Sequence, residues 1–305
     1  MPLDNYPVAT LPNNPFPNND DLFFGTETEP LKGNLSHRPT GRWEGIYRTD
    51  NGECLGVHKD TYTLVQNRDF FNGVEEKLME YFEPDKLQDI VVKDTIGRGG
   101  AASIREYRFN KIKTYIQTER HSTSLLFRVI GWNCFDGSAK ARIVFGNIDT
   151  FCTNGQITGE YQATSAKRSS RFEVKGFINR MEKGLTEYSH NMKMLQRYAD
   201  TPTSLPYVTE FFDSLIGKGT NNISERTSTR LTEQYVDVEA PTRGSNLWAV
   251  VSTLTTYSSY ADMVPVRNTG TDHAGVTLLE RQSKVNKWLG SSKWDDLCNK
   301  SVMAA

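Results

Sequence analysis

The sequence predicts an α+β protein in which an antiparallel β-meander is packed by one long helix, with extra N-terminal strands and a helical C-terminal region. Three observations carry this. Strand-like runs at 104–118, 121–134 and 138–149 follow one another across short turns. Phe135-Asp136-Gly137 supplies the Asp-Gly pair that tolerates positive φ in a tight hairpin. From Val174 to Leu195 apolar residues then recur at three- and four-residue spacing, for about six helical turns.

Residues 1–40 are rich in Asn, Pro, Asp and Thr, as in Pro12-Asn13-Asn14-Pro15-Phe16-Pro17-Asn18-Asn19, and predict an extended or disordered arm. Leu22-Phe23-Phe24 is its one apolar anchor, suited to docking on the body or on a neighbouring subunit. The body is expected over 41–200. It opens with strands at 43–49, 54–58 and 62–66, separated by Asp50-Asn51-Gly52-Glu53 and Lys59-Asp60. Asn67 is positioned to cap a helix carrying Phe71, Val74, Leu78 and Phe82, which Pro84 ends.

Within 138–149, Lys140 and Arg142 alternate with Ala141, Ile143 and Phe145, so the cations fall on one sheet face and the apolar groups on the other. Arg105, Arg108, Lys111, Lys113, Arg120 and Arg128 repeat the habit less regularly. A turn at Thr153-Asn154-Gly155 and a polar loop through Lys167-Arg168 lead to a capping box, Ser170-Arg171-Phe172-Glu173. The long helix after it is expected on the apolar side of the sheet, ending before Pro202 and Pro206. Residues 201–305 are expected to form a mostly helical region packed on the body. Its elements carry Val208 to Ile216, Leu247 to Tyr257 (opened by Ser245) and Leu278 to Leu289, with a loop at 218–222.

The formal net charge of −1 hides an uneven distribution. Residues 1–97 hold 9 basic and 17 acidic side chains, residues 98–175 hold 13 and 6, and the remainder holds 14 of each. Charges beyond about 10 Å are screened at moderate salt, so the basic centre is where a polyanion is expected. No run of about 18 apolar residues marks a membrane span, and the first residues lack a signal-peptide pattern. Cys54, Cys134, Cys152 and Cys298 include no C-x-x-C pair, so free thiols in a reducing, cytoplasmic setting are expected.

Phosphate-loop, dinucleotide, nucleophile-elbow, zinc-protease and calcium-loop signatures are absent from the sequence. Gly97-Arg98-Gly99-Gly100 reads as a mobile hairpin loop rather than a nucleotide cradle. The five histidines are scattered, and Asp136 and Asp149 read as a turn residue and a strand-end cap. No catalytic residue, metal or cofactor is therefore expected. The basic centre, interleaved with Tyr107, Tyr115, Trp132 and Phe135, combines phosphate-pairing cations with rings able to stack on bases, which suits single-stranded nucleic acid.

Tyr62-Thr63-Leu64-Val65-Gln66-Asn67-Arg68-Asp69, Asp136-Gly137-Ser138, Phe151-Cys152-Thr153-Asn154-Gly155 and Leu247-Trp248-Ala249-Val250 resemble, in order, signature segments of the phage/plasmid-like protein family, domain of unknown function 932. The sequence departs from that pattern at Val174-Lys175-Gly176-Phe177, where the family usually carries H-x-G-N, which argues against a histidine-based role. The resemblance implies a mobile-element origin and no set chemistry. The meander followed by a long helix also resembles, as architecture alone, phage single-strand annealing proteins of the eukaryotic recombinase type. That likeness implies rings or filaments and work alongside a single-strand-binding protein or a phage exonuclease.

The expected function is ATP-independent single-stranded DNA binding and strand annealing by a phage or mobile element, in the cytoplasm of a bacterial host. Lys111, Lys113, Arg128, Lys140 and Arg142 are the expected backbone contacts on the sheet, with Lys167, Arg168, Arg171 and Lys175 at the start of the long helix. The alternative is a phage-encoded inhibitor or adaptor whose basic face meets a host protein. A metal-dependent nuclease needs clustered carboxylates, and the basic centre supplies only six acids.

Overall fold

The computed structural model of the protein describes residues 15–32, 39–138, 141–150, 155–162, 174–179, 181–260 and 274–304. Two antiparallel sheets and a set of helices make up an α+β fold. The small sheet has the order β1 (Thr26–Lys32), β2 (Pro39–Arg48) and β3 (Cys54–Lys59). Part of the stretch expected to be an arm is thus a strand. Phe16, Leu22, Phe23 and Phe24 upstream of it are buried, which anchors the segment in this chain's own core.

The strand expected at 62–66 does not form; those residues run without regular structure into helix α1 (Asn67–Tyr81). Asn67 is also not the cap. Gln66 holds that place without a side-chain cap bond, while Asn67 begins the helix fully buried. Its amide donates to the Leu22 carbonyl at 2.8 Å and to Ser103 Oγ at 2.9 Å, and its Oδ1 accepts from Asn133 Nδ2 at 2.7 Å. A side chain satisfied this fully by distant partners has no need of a local cap.

The large sheet is a five-stranded meander rather than three-stranded: β4 (Ile90–Gly97), β5 (Ala102–Gln117), β6 (Ser122–Cys134), β7 (Arg142–Asp149) and β8 (Gly155–Gln162). A 3-10 turn with Arg98, Gly99 and Gly100 at positive φ joins β4 to β5. The period-two pattern assigns side chains to faces as expected. Tyr107, Phe109, Phe127, Val129, Ile143 and Phe145 share one face with Phe70, Phe71, Val74 and Leu78 of α1. Burying each such phenylalanine contributes roughly 1.5–3 kcal/mol.

The long helix is divided into α2 (Val174–Asn179) and α3 (Met181–Asp200); the capping box lies outside the described residues. Ile178, Met181 and Leu185 join the α1 side of the core, and Met192 and Leu195 join the C-terminal core, as the spacing predicts. Gly184 permits the approach of α3 to the sheet, because a Cβ there would lie 2.2 Å from Phe145 Cε2.

The C-terminal region contains α4 (Leu205–Ser214), α5 (Glu225–Gln234), a π-helical turn (Tyr235–Glu239), α6 (Ala240–Arg243), α7 (Leu247–Tyr260), α8 (Ala274–Leu289) and α9 (Ser292–Ala304). Asn246, not Ser245, caps α7, accepting from the Ala249 N–H at 2.9 Å. Trp248, Trp288 and Trp294 fill the core of this region. Among the described residues no helix is long and apolar enough to cross a membrane.

Candidate functional site

The expected cationic sheet face exists, but it does not open to solvent. Helix α8 crosses it. Arg128, only 3% exposed, donates to Glu106 Oε1 at 2.9 Å and to Gln282 of α8 at 2.8 Å. Arg142 is half-buried, its guanidinium 3.8 Å from the Trp132 ring centre, with Nη1 3.4 Å from Ser283 Oγ. Arg105, on the α1 side, is fully buried against Glu75 at 3.2 Å and Asp94 at 3.6 Å. Burial pushes the Glu106 carboxyl up, but Arg128 and Arg108 together outweigh it and hold the group below its usual range. Arg105, Arg108 and Arg128 are ion-pair partners, and Arg128, expected as a backbone contact, is buried in such a pair.

Among the described residues, the other expected contacts are not gathered in one channel. Lys111 and Lys113 are exposed on β5, Lys111 donating to Gln88 Oε1 at 2.5 Å. Lys175 is exposed on α2, whose Ile178 packs on the α1 side, so it belongs to the opposite face from Arg128 and Arg142. Lys140, Lys167, Arg168 and Arg171 lie outside the described residues.

Two features on the α8 side remain open. An irregularity in β5 between Phe109 and Lys113 shifts the register, pairing Lys113 with Leu126 and Tyr115 with Ser124. Lys113 and Tyr115 therefore face the same side as Arg128 and Trp132. Tyr115 is 61% exposed there.

The second feature is a cleft of about 450 Å³ between β7, α8 and the 220–221 loop. Arg142, Arg281, Lys284 and Lys287 line it against one carboxylate, Glu280. Lys284 donates to the Asn222 carbonyl at 2.6 Å and lies 5.3 Å from the Trp288 ring centre. Burial, with Arg281 beside it, lowers the Lys284 pKa, and burial likewise lowers that of Arg142 against the pull of Glu280. Sequence reasoning passed over these cations because 176–305 balances in charge. The signal was their spacing of three, which puts Arg281, Lys284 and Lys287 along one side of a helix.

Of the segments that suggested a family, residues 151–154 lie outside the described residues, and the others serve as fastenings or core. Gln66 accepts from the N–H and Oγ1 of Thr26, each at 3.0 Å, and donates to the Thr26 carbonyl at 2.7 Å. With Asn67 it pins the N-terminal segment to α1. Asp136 accepts from the Ser138 N–H at 2.8 Å and from Cys134 Sγ at 2.9 Å, and pairs with Arg98 at 3.2 Å, locking the β6–β7 turn to the β4–β5 turn. Leu247 and Trp248 are core residues.

The fold and this site define an α+β protein with a cation-lined cleft on a sheet-crossing helix. The model for the domain of unknown function (DUF932) matches residues 54–281, three quarters of the chain, and the protein belongs to that family. No curated protein and no solved structure matches it.

Proposed function

We propose that the protein binds single-stranded DNA without nucleotide hydrolysis and promotes strand annealing for a phage or similar mobile element, assembling through sheet edges into rings or filaments. The observation that carries this is the β5 segment, where Lys111 and Lys113 accompany an aromatic ring left 61% exposed at Tyr115. Cations pair with phosphates, and an exposed ring stacks on any base, so the segment suits sequence-tolerant binding. A single-strand-binding protein or an exonuclease is the proposed partner.

The test is fluorescence anisotropy of a labelled single-stranded oligonucleotide against the intact protein and a K113E/Y115A variant. Removing one stacked ring and reversing one charge is expected to weaken binding at least tenfold at low salt, a stacked base being worth about 1–3 kcal/mol. Equal affinities would remove β5 from the interface. A second reading, a module that docks on a host protein, is favoured by the outer face of the small sheet, where Trp43 and Val57 are 44% and 45% exposed. A stable complex with one protein, with no salt-sensitive DNA binding, would select it.

A further inference from the structure

We infer that the cleft between β7 and α8 is a site for a terminal phosphate, the dianionic phosphomonoester of a nucleotide or of a strand end. This deepens the nucleic-acid reading and rests on it for the source of the phosphate. Four cations face one carboxylate here, an excess of three positive charges at a concave site. A phosphodiester link brings one negative charge, whereas a phosphomonoester brings about −1.5 to −2 and three strong acceptor oxygens. The cleft's charge excess therefore favours an end over an internal link.

Arg142 is also short of acceptors. Arg142 rests on Trp132, its bond to Ser283 is long, and its buried Nε has no hydrogen-bond partner among the described residues. Charges withdrawn from water are ordinarily paired, and burial, which lowers the pKa of both Arg142 and Lys284, leaves them a loss of hydration that a bound anion would offset. A planar guanidinium can meet two phosphate oxygens at once, and the ammonium groups supply point charges beside it. Thr220, Asn221 and Ser283 add polar groups for the rest of a nucleotide. The volume falls in the usual range for small-ligand sites, about 300–1,000 Å³.

Trp132 and Trp288 lie against Arg142 and Lys284 and serve as fluorescent reporters. The full chain is titrated at low salt with thymidine monophosphate, thymidine and inorganic phosphate. Oligonucleotides of one sequence ending in phosphate or hydroxyl are then compared. The monophosphate and the phosphate-ended strand are expected to bind about tenfold tighter than their hydroxyl counterparts, the gain of one charge-assisted hydrogen bond. In K284Q/K287Q the ratio of the two strand affinities should fall to about one, with the circular dichroism spectrum retained. The wild-type comparison stands whether or not that variant folds. Equal affinity for both strand ends in the wild type overturns the phosphate site and leaves strand binding standing. Binding of the monophosphate without either strand supports the site and removes the nucleic-acid reading.

Discussion

Arg243→Met tests how the helical region is held to the sheet. Arg243 is 1% exposed, and its Nη2 meets Asp149 at 2.8 Å, its Nε meets Glu239 at 2.9 Å, and its Nη1 donates to Thr123 Oγ1 at 2.5 Å. Thr123 is the second residue of β6 next to the β5–β6 hairpin, Asp149 ends β7, and Glu239 closes the π-helical turn, so one guanidinium joins three elements. Methionine keeps much of the volume but strands two carboxylates that are 2% and 3% exposed. Glu239 keeps hydrogen bonds from Gln234 at 3.3 Å and Thr256 at 2.9 Å, which lessens its share of the penalty. Breaking a buried pair by removing one partner costs about 3–5 kcal/mol. With an m-value of about 2–3 kcal/mol/M, urea denaturation should show a midpoint lowered by roughly 1–2 M. The triple change R243M/D149N/E239Q removes the stranded charges and should recover most of the loss. A single variant losing under about 1 kcal/mol, or a triple variant no better than the single, would refute the claim that a desolvated ion pair governs this junction.

Gly184→Ala should destabilise the protein, although alanine in a helix is normally worth about 1 kcal/mol over glycine. The new methyl would sit 2.2 Å from Phe145 Cε2, and overpacking of this kind costs about 1–3 kcal/mol. A rise in thermal midpoint would show that the ring yields freely. Glu106→Gln should change the response to acid. The folded-state pKa of Glu106 lies below its ordinary value of 4.5, so its stabilising contribution is complete above that value and is lost as pH falls through the folded pKa. The variant should be less stable than the wild type at pH 7, with the gap in urea midpoint narrowing as the pH falls below about 4.5. A gap that stays constant down to pH 3 would mean that Arg128 and Arg108 do not favour the ionised form.

Period two and the Asp-Gly turn made the sheet legible: Ala141, Ile143 and Phe145 point inward and Arg142 outward from that core. Helical spacing did the same for α1, α3, α4, α7 and α8. The losses have physical causes. Asn67 looks like a cap because the local signal for a cap and for a buried hydrogen-bonding hub is the same residue type. Strand β1, with five of its seven residues exposed, has no apolar alternation to read, and it exists because β2 offers it a ladder. Strand β8 begins at Gly155, the last residue of the segment read as a turn.

The candidate site failed to be legible for a deeper reason. A strand pattern says that two faces differ, but it cannot say what covers the second one. Of the cations counted in the basic centre, Arg105 is held by Glu75 and Asp94 of the acidic first third, while Arg108 and Arg128 share Glu106 and Arg98 meets Asp136 within the centre itself. Part of the positive charge counted in a segment is therefore spent on intramolecular pairs formed on folding. What remains for a partner is the charge that folding leaves without an opposite. Such charge lies on β5 at Lys111 and Lys113, and in the cleft where Lys284 and Lys287 of the charge-balanced last third meet Arg142 of the basic centre.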